Sequence, residues 1–371
     1  LHPPLVVKPA DSMGSRAVRR VDSRGELREA CRAAVAASRS GRAVIEEYMD
    51  GPELSLDAIV WRGRVTVCGV ADRIIRFPPF FVEMGHTMWT ELPGEQRRAV
   101  ERVFEDGILA LGIENGAAKG DIKLTSRGPM VGEIAARLSG GYMSGWTYPL
   151  ASGVDVTRAA LRVAAGLDPG DLSPVRHSTS AERAFISMPG VVGSVEGVEQ
   201  ARSQSGVREV FVLAAAGRPA VFPSSNVEKA GNVIAADESR ERAVAAAEAA
   251  AAGILVRLEP GNPRTDEFLF GDPAACPHPA FSLGRGENRT ALAGMPAFQG
   301  DPAAANAGGP VRVLSLPEAA RESSRDWHGL ALEEALARLV RWGGIRLVTP
   351  SSTGPFALGS VFWRALLRGS I

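Results

Sequence analysis

Residues 120–137 have the sequence Gly-Asp-Ile-Lys-Leu-Thr-Ser-Arg-Gly-Pro-Met-Val-Gly-Glu-Ile-Ala-Ala-Arg, which predicts a β-hairpin that carries an acid on each strand. Apolar residues on both sides indicate the two strands, and residues 126–129 indicate the turn between them. Asp121 and Glu133 are equally far from Arg127 along the chain. Because side chains alternate between the two faces of a strand, antiparallel pairing about Arg127 places both carboxylates opposite each other on one face.

The facing acids predict a metal site. Two like charges directly across a ladder repel each other, so a purely structural hairpin disfavours this pair. A hard divalent cation such as Mg²⁺ or Mn²⁺ reverses the sign of the interaction, since it binds carboxylate oxygens. Asp121 and Glu133 are therefore candidate metal ligands in a site for phosphate chemistry.

A basic residue and a glycine turn follow the hairpin directly. Arg137 comes first, and Ser139, Gly140 and Gly141 come two residues later. A guanidinium near paired carboxylates suits the recognition of a phosphate or a carboxylate. The alternative is a salt bridge from Arg137 to one of the two acids.

A second basic residue lies near the start of the chain. Lys8 ends an apolar strand and precedes a loop of small residues that includes Ser12, Gly14 and Ser15. The backbone N–H groups of such a loop can hold phosphate oxygens beside the lysine. The alternative is a solvated lysine before an ordinary turn.

The segment Glu46-Glu47-Tyr48-Met49 ends an apolar strand, and Glu53 follows after a turn. If the strand edge faces a nucleotide base, the Glu47 carbonyl and the Met49 N–H can pair with adenine. Glu46 can then accept from the adenine amine, and Glu53 from the ribose hydroxyls. The alternative is an edge strand with solvated acids, which is the usual meaning of such charges.

The composition limits the class of protein. Lys+Arg and Asp+Glu number 42 each in 371 residues, so no overall charge attracts nucleic acid or an acidic membrane. The length allows two or three domains of the usual size of about 100–200 residues. Three cysteines without CxxC spacing indicate reduced thiols in a cytoplasmic protein. No segment predicts a membrane span.

Taken in chain order, these motifs resemble the ATP-grasp superfamily. The similarity extends over about residues 4–165, and residues 183–258 resemble the C-terminal subdomain of its amino-acid-ligase-type members. The resemblance implies an α+β fold in which antiparallel sheets with helices form two lobes around ATP. It also implies a small C-terminal α+β subdomain.

We therefore expect the first lobe, present in part, at residues 1–76, the second lobe with the metal site at 77–175, and the small subdomain at 176–260. Residues 261–310, rich in Pro, Gly, Ala and Asn, predict a linker, and residues 311–371 predict an additional α/β segment. Because the chain opens directly in an apolar strand and the family's preceding domain is absent, we expect a further N-terminal portion.

The resemblance also implies a role for each candidate residue. Lys8 and Arg137 would act on the phosphates during transfer, and Asp121 and Glu133 would hold Mg²⁺ or Mn²⁺. The nucleotide would contact Lys8, Ser12, Gly14, Ser15, Glu46, Glu47, Tyr48, Met49 and Glu53. The substrate carboxylate would contact Ser139, Gly140 and Gly141. The chain departs from many relatives at Asp121, where they carry Glu, and at Ala135, where they carry Asn.

The function that the resemblance implies is that of an ATP- and Mg²⁺-dependent ligase. Such an enzyme joins a carboxylate, here of an amino acid or a similar acid, to an amine through an acyl-phosphate. Two alternatives stay open, namely a carboxylase or carbamoyl-phosphate-type enzyme that uses bicarbonate, and a non-catalytic ATP-binding module. The expected partners are ATP, a small carboxylate and an amine, and a homodimer is left open.

Overall fold

The computed structural model describes residues 1–259 and 262–270, together with the short segments 298–299 and 357–358. The chain divides into two units. The large unit consists of Leu1–Ile186, Glu196–Ala214 and Pro223–Ile254, and the small unit consists of Ser187–Val195, Ala215–Phe222 and Leu255–Ile371. All candidate site residues lie in the large unit.

A three-stranded antiparallel sheet begins the large unit and carries the predicted phosphate loop. Its strands are β1 (Leu5–Pro9), β2 (Arg19–Val21) and β3 (Ala43–Glu47), in the order β2-β1-β3. Helix α1 (Arg24–Ala37) joins β2 to β3 and covers one face, where Val7 packs on Ala30 and Ala34. The alternation of β1 leaves Lys8 on the opposite face, half-buried.

An eight-stranded sheet forms the rest of the large unit's framework. Its strands are β4 (Glu53–Trp61), β5 (Arg64–Arg76), β6 (Val82–Met88), β7 (Gly116–Thr125), β8 (Gly128–Ala135), β9 (Thr179–Phe185), β11 (Val207–Val212) and β13 (Gly231–Asp237). The strands β10 (Gly190–Glu196), β12 (Pro219–Ala220) and β14 (Leu255–Leu258) form a separate sheet. The sheet order is β11-β13-β9-β6-β5-β4-β7-β8, and all seven pairings are antiparallel. The predicted α+β class is therefore confirmed.

Helices cover both faces of this sheet. They are α2 (Gly94–Ala110), a π-helical turn (Met143–Thr147) that leads into α3 (Tyr148–Ser152), α4 (Val156–Ala164), α5 (Val198–Ser203) and α6 (Arg240–Ala252). Phe104 and Ile108 of α2 share one core with Ile122 of β7. Tyr148 of α3 shares another core with Met88 of β6. Apolar cores therefore lie against both faces of the sheet.

The predicted hairpin is formed by β7 and β8, and Asp121 pairs directly with Glu133 as expected. The turn is shorter than predicted, because only Ser126 and Arg127 separate the strands. The register next to this turn would place Gly132 opposite Asp121. A β-bulge shifts the register there by one residue, so that Glu133 takes the opposite position.

Strand β6 does not follow from the sequence pattern. All seven of its residues are buried, among them Glu83 and His86, so it lacks the alternation that marks a half-buried strand. It lies between β5 and β9 in the middle of the sheet. Gly85 permits the close pairing with β9, since a Cβ at this position would lie 2.1 Å from the Glu182 carbonyl oxygen.

The small unit contains a three-stranded sheet in the order β12-β10-β14. Helix α7 (Pro263–Phe270) belongs to the same unit, and its Thr265 hydroxyl donates to the Pro189 carbonyl at 2.7 Å. This helix lies within residues 261–310, for which a linker was expected. The remainder of that segment and the expected α/β segment at 311–371 lie outside the described residues, apart from two paired dipeptides at 298–299 and 357–358.

The predicted domain boundaries do not coincide with sheet boundaries. The eight-stranded sheet takes β4 and β5 from the expected first lobe, β6 to β8 from the expected second lobe, and β9, β11 and β13 from the expected C-terminal subdomain. Within the part of the chain that the structure describes, none of the helices has the length and apolarity needed to cross a membrane.

We expect Phe104→Ala to lower the free energy of unfolding by about 3–5 kcal/mol, because Phe104 is fully buried beside Gly120 of β7. Leu109→Ala, in the same helix at a position that is 54% exposed, is the matched control and should change stability by less than about 0.5 kcal/mol. Urea unfolding followed by fluorescence measures both. Equal effects of the two substitutions would contradict the packing of α2 on the sheet.

Candidate functional site

A cleft of about 780 Å³ in the large unit brings together residues that lie far apart in the sequence. Every predicted site residue lines it: Lys8, Ser12, Gly14, Ser15, Glu46, Glu47, Tyr48, Met49, Glu53, Asp121, Glu133, Arg137, Ser139, Gly140 and Gly141. Other charged residues that the sequence did not single out line it too: Arg73, Lys119, Lys123 and Lys229. The cleft therefore joins the predicted nucleotide, metal and substrate residues in one site.

Two basic side chains offset the charge of the paired acids. Lys119 lies two residues before Asp121 on β7, hence on the same face, and its ammonium contacts Asp121 and lies 3.5 Å from Glu133 Oε1. The guanidinium of Arg73 lies 2.8 Å from Asp121 Oδ2. The two acids differ in exposure, since the Asp121 side chain is 12% exposed and that of Glu133 is 49% exposed. Glu133 is thus the acid that faces the open cleft.

Arg73 is the centre of a buried charge network. Besides Asp121 it pairs with Glu53, and its Nε lies 2.9 Å from Glu83 Oε2. A β-bulge in β5 at Cys68 shifts the pairing with β4 and puts Arg73 directly opposite Glu53. One buried cation therefore holds carboxylates from three different strands in fixed positions.

The network changes the pKa values of its members. Burial alone raises the pKa of the Asp121 carboxyl, but the positive charges of Arg73 and Lys119 outweigh burial and lower it. The pKa of Glu83 is likewise raised by burial and lowered more strongly by His86 and Arg73, so the net shift is downward. Both acids are therefore charged at neutral pH.

The predicted nucleotide side lies on the first sheet. Lys8 Nζ lies 2.7 Å from Glu46 Oε2 and donates to the Gly132 carbonyl at 3.2 Å, which places the ammonium beside the hairpin bulge. The guanidinium carbon of Arg20 lies over the Tyr48 ring, 4.4 Å from the ring centroid. The side chain of Glu47 pairs with Arg127 at 2.8 Å, on the exposed side of the strand.

The predicted phosphate loop follows Lys8 and has an unusual backbone. Gly14 and Ser15 both have positive φ angles, of 69° and 58°. Turns of this kind can present backbone N–H groups to an anion. The carbonyl of Gly14 accepts a hydrogen bond from the Asn226 N–H at 2.9 Å, so the loop is tied to a distant segment.

The glycine turn after the hairpin is held by a buried acid of β4. Asp57 Oδ1 accepts from the Ser139 N–H at 2.9 Å, and Asp57 Oδ2 accepts from the Ser144 hydroxyl at 2.6 Å. Burial raises the pKa of Asp57, although these hydrogen bonds oppose the shift. Gly141 has a φ of 61°, and a Cβ there would lie 2.5 Å from Glu83 Oε1. The turn therefore lies directly against Glu83.

A buried polar cluster forms the floor of the cleft next to this turn. His86 lies 3.5 Å from Glu83 and 3.1 Å from Glu182, and Lys229 lies 3.8 Å from Glu182. Asn232 also donates to Glu182. Burial lowers the pKa of His86, but the adjacent Glu83 and Glu182 raise it to above its usual value.

The ligand atoms of Glu83, His86 and Glu182 lie within 4.8 Å of one another, which is close enough for a metal ion. Basic side chains contact this cluster and the hairpin acids alike, so charge does not distinguish the two places. Exposure does, because Glu83, His86 and Glu182 are all buried, whereas Glu133 is half-exposed and faces the cleft, which makes the hairpin acids the better candidate metal ligands.

Arg137 lies at the mouth of the cleft. Its Nη1 donates to the Leu138 carbonyl at 2.9 Å, and its Nη2 lies 3.9 Å from Glu133 Oε1. The salt bridge to Glu133, considered as the alternative to a phosphate role, is therefore present. Its side chain is 48% exposed, so an anion can reach the guanidinium.

Two family models match the chain. Residues 1–145 match the model of the ATP-grasp domain, which includes all of the candidate site residues. The chain carries an ATP-grasp domain. Residues 183–259 match the model of the L-amino acid ligase C-terminal domain 2. The resemblance stated from the motifs and the predicted ATP-grasp fold are both confirmed.

Relatives of the chain include proteins of known and unknown activity. An uncharacterized protein of Sinorhizobium fredii, y4rH, is 28% identical over 249 residues, which are 65% of this chain and 50% of that protein. Carnosine synthase 1 of Homo sapiens is 32% identical over 168 residues, which are 45% of this chain and 19% of that protein. The match to a synthase, together with the ATP-grasp domain match, agrees with the predicted enzyme. The chain spans only half of the first relative and less of the second.

A solved structure shows the same fold. The crystal structure of an L-amino acid ligase from Bacillus licheniformis matches with a TM-score of 0.59 at 24% identity, over 70% of this chain and 64% of that one. At this identity the match is evidence for the fold alone.

We expect Arg73→Met to lower the free energy of unfolding by about 3–5 kcal/mol at pH 7, because it leaves buried carboxylates without their cation. In the wild type, the pKa of Asp121 is lower in the folded protein than in the unfolded chain, where it is about 3.9. This difference stabilises the fold at pH values above about 3.9, and the contribution is lost as the pH falls through the folded pKa. In the variant, only Lys119 opposes the effect of burial on Asp121, so the same pKa is higher than in the wild type. The deficit should therefore shrink as the pH falls from 7 to 5.

Chemical unfolding at several pH values measures this effect. Arg64→Met is the control, since Arg64 is exposed at the start of the same strand and should be nearly neutral at each pH. A deficit for Arg73→Met that stays constant between pH 7 and pH 5 would contradict the charge network.

Proposed function

We propose that the protein is an ATP- and Mg²⁺-dependent ligase that joins the carboxylate of an amino acid, or of a similar acid, to an amine. The observation that carries the proposal is the direct pairing of Asp121 with Glu133 in the same cleft as Lys8 and the glycine turn. Lys119 and Arg73 offset the repulsion of the pair, yet the Glu133 carboxylate remains half-exposed and faces the cleft, where a cation can reach it. Phosphoryl transfer from ATP requires positioning and charge neutralisation, and the cleft offers groups for both.

The donor set of the hairpin fits a divalent cation. Asp121 and Glu133 provide hard oxygen ligands, and Ser55 donates to Asp121 Oδ1 at 3.3 Å, which orients that carboxylate. Glu133 is half-exposed and faces the cleft. When bound, the ion would neutralise charge on the ATP phosphates.

On the nucleotide side, Lys8 and the loop that contains Ser12, Gly14 and Ser15 would bind the phosphates. The strand end from Glu46 to Met49 would hold adenine, and Glu53 would lie near the ribose. Lys8 now pairs with Glu46, so ATP binding would exchange that contact for a phosphate oxygen. Lysine suits this role because its ammonium is a mobile point charge on a flexible stem.

On the substrate side, the glycine turn and Glu83 would hold the amino acid. The backbone of Gly140 and Gly141 allows the close approach of a carboxylate, and Glu83 beside the turn would bind an ammonium group. The acids here are paired with Arg73, His86 and Lys229, so the pocket has mixed charge. A mixed pocket suits an amino acid, which carries both charges, better than bicarbonate, which would require a strongly basic pocket.

The chemistry proceeds in two transfers. A substrate carboxylate oxygen attacks the γ-phosphorus of ATP, the bond to the β–γ bridging oxygen breaks, and ADP leaves. Arg137 stabilises the charge on the transferred phosphoryl group. The amine then attacks the carbonyl carbon of the acyl-phosphate, loses a proton, and expels phosphate to leave an amide. Lys8 and Arg137 thus act on the phosphates at both steps.

We expect the full-length protein to release phosphate from Mg-ATP when a suitable amino acid and an amine are both present. A panel of amino acids, with bicarbonate as a separate arm, identifies the acid. Glu133→Gln should reduce release by more than about 100-fold, while nucleotide binding persists, because it removes a metal ligand and leaves the adenine side intact. Glu114→Gln, an exposed acid outside the cleft, is the control.

Each of the other outcomes identifies a different function. Release that depends on bicarbonate alone would favour a carboxylase or carbamoyl-phosphate-type enzyme. ATP binding without release under any condition would favour a non-catalytic module. Full activity of Glu133→Gln would refute the assignment of the metal ligands.

A further inference from the structure

We infer that Asn226 is a positioning residue that couples the phosphate loop to the amino-acid pocket, an inference that rests on the proposed function. Asn226 begins a one-turn 3-10 helix, Asn226–Glu228, that lines the cleft. The phosphate loop lies more than 200 residues earlier in the sequence, and Glu83 lies 143 residues earlier. Asn226 contacts both of them.

The backbone of Asn226 holds the phosphate loop. Its N–H donates to the Gly14 carbonyl at 2.9 Å. The next residue, Val227, packs against the same glycine, since a Cβ on Gly14 would lie 3.2 Å from Val227 Cγ1. Gly14 has a φ of 69°, which aims its carbonyl away from the course of a regular strand. The loop is therefore held in its turned conformation from outside.

The side chain of Asn226 holds the amino-acid pocket. Its Oδ1 accepts a hydrogen bond from the backbone N–H of Glu83 at 2.8 Å. Glu83 is the buried acid that lies against Gly141 and pairs with Arg73. The same residue thus fixes the backbone of Glu83 with its side chain and the phosphate loop with its own N–H.

The segment around Asn226 is itself anchored. Glu228 accepts hydrogen bonds from the Ser224 N–H at 2.7 Å and from the Ser224 hydroxyl at 2.9 Å, which closes the turn. Lys229 is buried and lies 3.8 Å from Glu182 on the floor of the cleft. Movement of Asn226 with the phosphate loop would therefore strain contacts on the pocket side.

A coupling of this kind acts in both directions. A triphosphate that orders the loop fixes Asn226 and hence the backbone of Glu83, and an amino acid bound at Glu83 favours the ordered loop by the same factor. Coupling between sites is typically about 5- to 150-fold in affinity. The Glu83 amide hydrogen lies in the connecting hydrogen bond, so its exchange rate reports the coupling without knowledge of which amino acid binds.

Hydrogen exchange of the full chain, with and without Mg²⁺ and a non-hydrolysable ATP analogue, tests the inference. In the wild type, the analogue should slow exchange in residues 10–17 and slow the Glu83 amide at least about 5-fold. In Asn226→Ala, protection of residues 10–17 should remain, while the change at Glu83 should fall below about 2-fold. Asn226→Asp keeps an acceptor oxygen and should retain the response at Glu83.

The matched control is Asn115→Ala, because the Asn115 amide also accepts a single backbone hydrogen bond, from Arg62 at 2.9 Å, on an exposed turn. This variant should respond as the wild type does. An unchanged response at Glu83 in Asn226→Ala, or its loss in Asn226→Asp in a folded protein, would refute the coupling. Absence of protection of residues 10–17 in the wild type would instead refute nucleotide binding, and with it the proposed function.

Discussion

The pairing of two carboxylates across one hairpin is the constraint on which the site depends. Asp121 and Glu133 repel each other, and the fold tolerates them because Lys119 and Arg73 place positive charge beside them. Arg73 serves acids of three strands at once, so the charge balance of the cleft is shared by the whole centre of the sheet. A divalent cation that binds Glu133, the more exposed of the two acids, would add positive charge to a site that basic residues already stabilise without it.

The local part of the site could be predicted from the sequence. The hairpin, the small-residue loop after Lys8 and the glycine turn at Gly140 are each set by neighbours in the chain, where turn residues and strand alternation decide the geometry. Lys119 could have been found in the same way, because a residue two positions before Asp121 shares its face. The order of these motifs along the chain indicated the ATP-grasp fold, and the match to the ATP-grasp domain model confirms it.

The rest depended on pairing that no local pattern reveals. A β-bulge at Cys68 shifts the register that brings Arg73 opposite Glu53. The facing of Asp121 and Glu133 was predicted, but it arises from a short turn and a β-bulge at Gly132 rather than from symmetric pairing about Arg127. Strand β6 was missed because a strand buried on both faces shows no alternation, and its polar residues are satisfied only by partners distant in sequence. Buried charged residues are ordinarily evidence against a central strand, but Glu83 and His86 of β6 form part of the floor of the site.

The most direct measurement is the position of the cation itself. Crystals of the protein with Mn²⁺ and a non-hydrolysable ATP analogue, measured at the manganese absorption edge, would show the ion by its anomalous scattering. The account predicts a peak within coordination distance of the Asp121 and Glu133 carboxylates, beside the phosphates of the analogue. A peak at the cluster of Glu83, His86 and Glu182, or bound nucleotide with no ion at the hairpin, would contradict it.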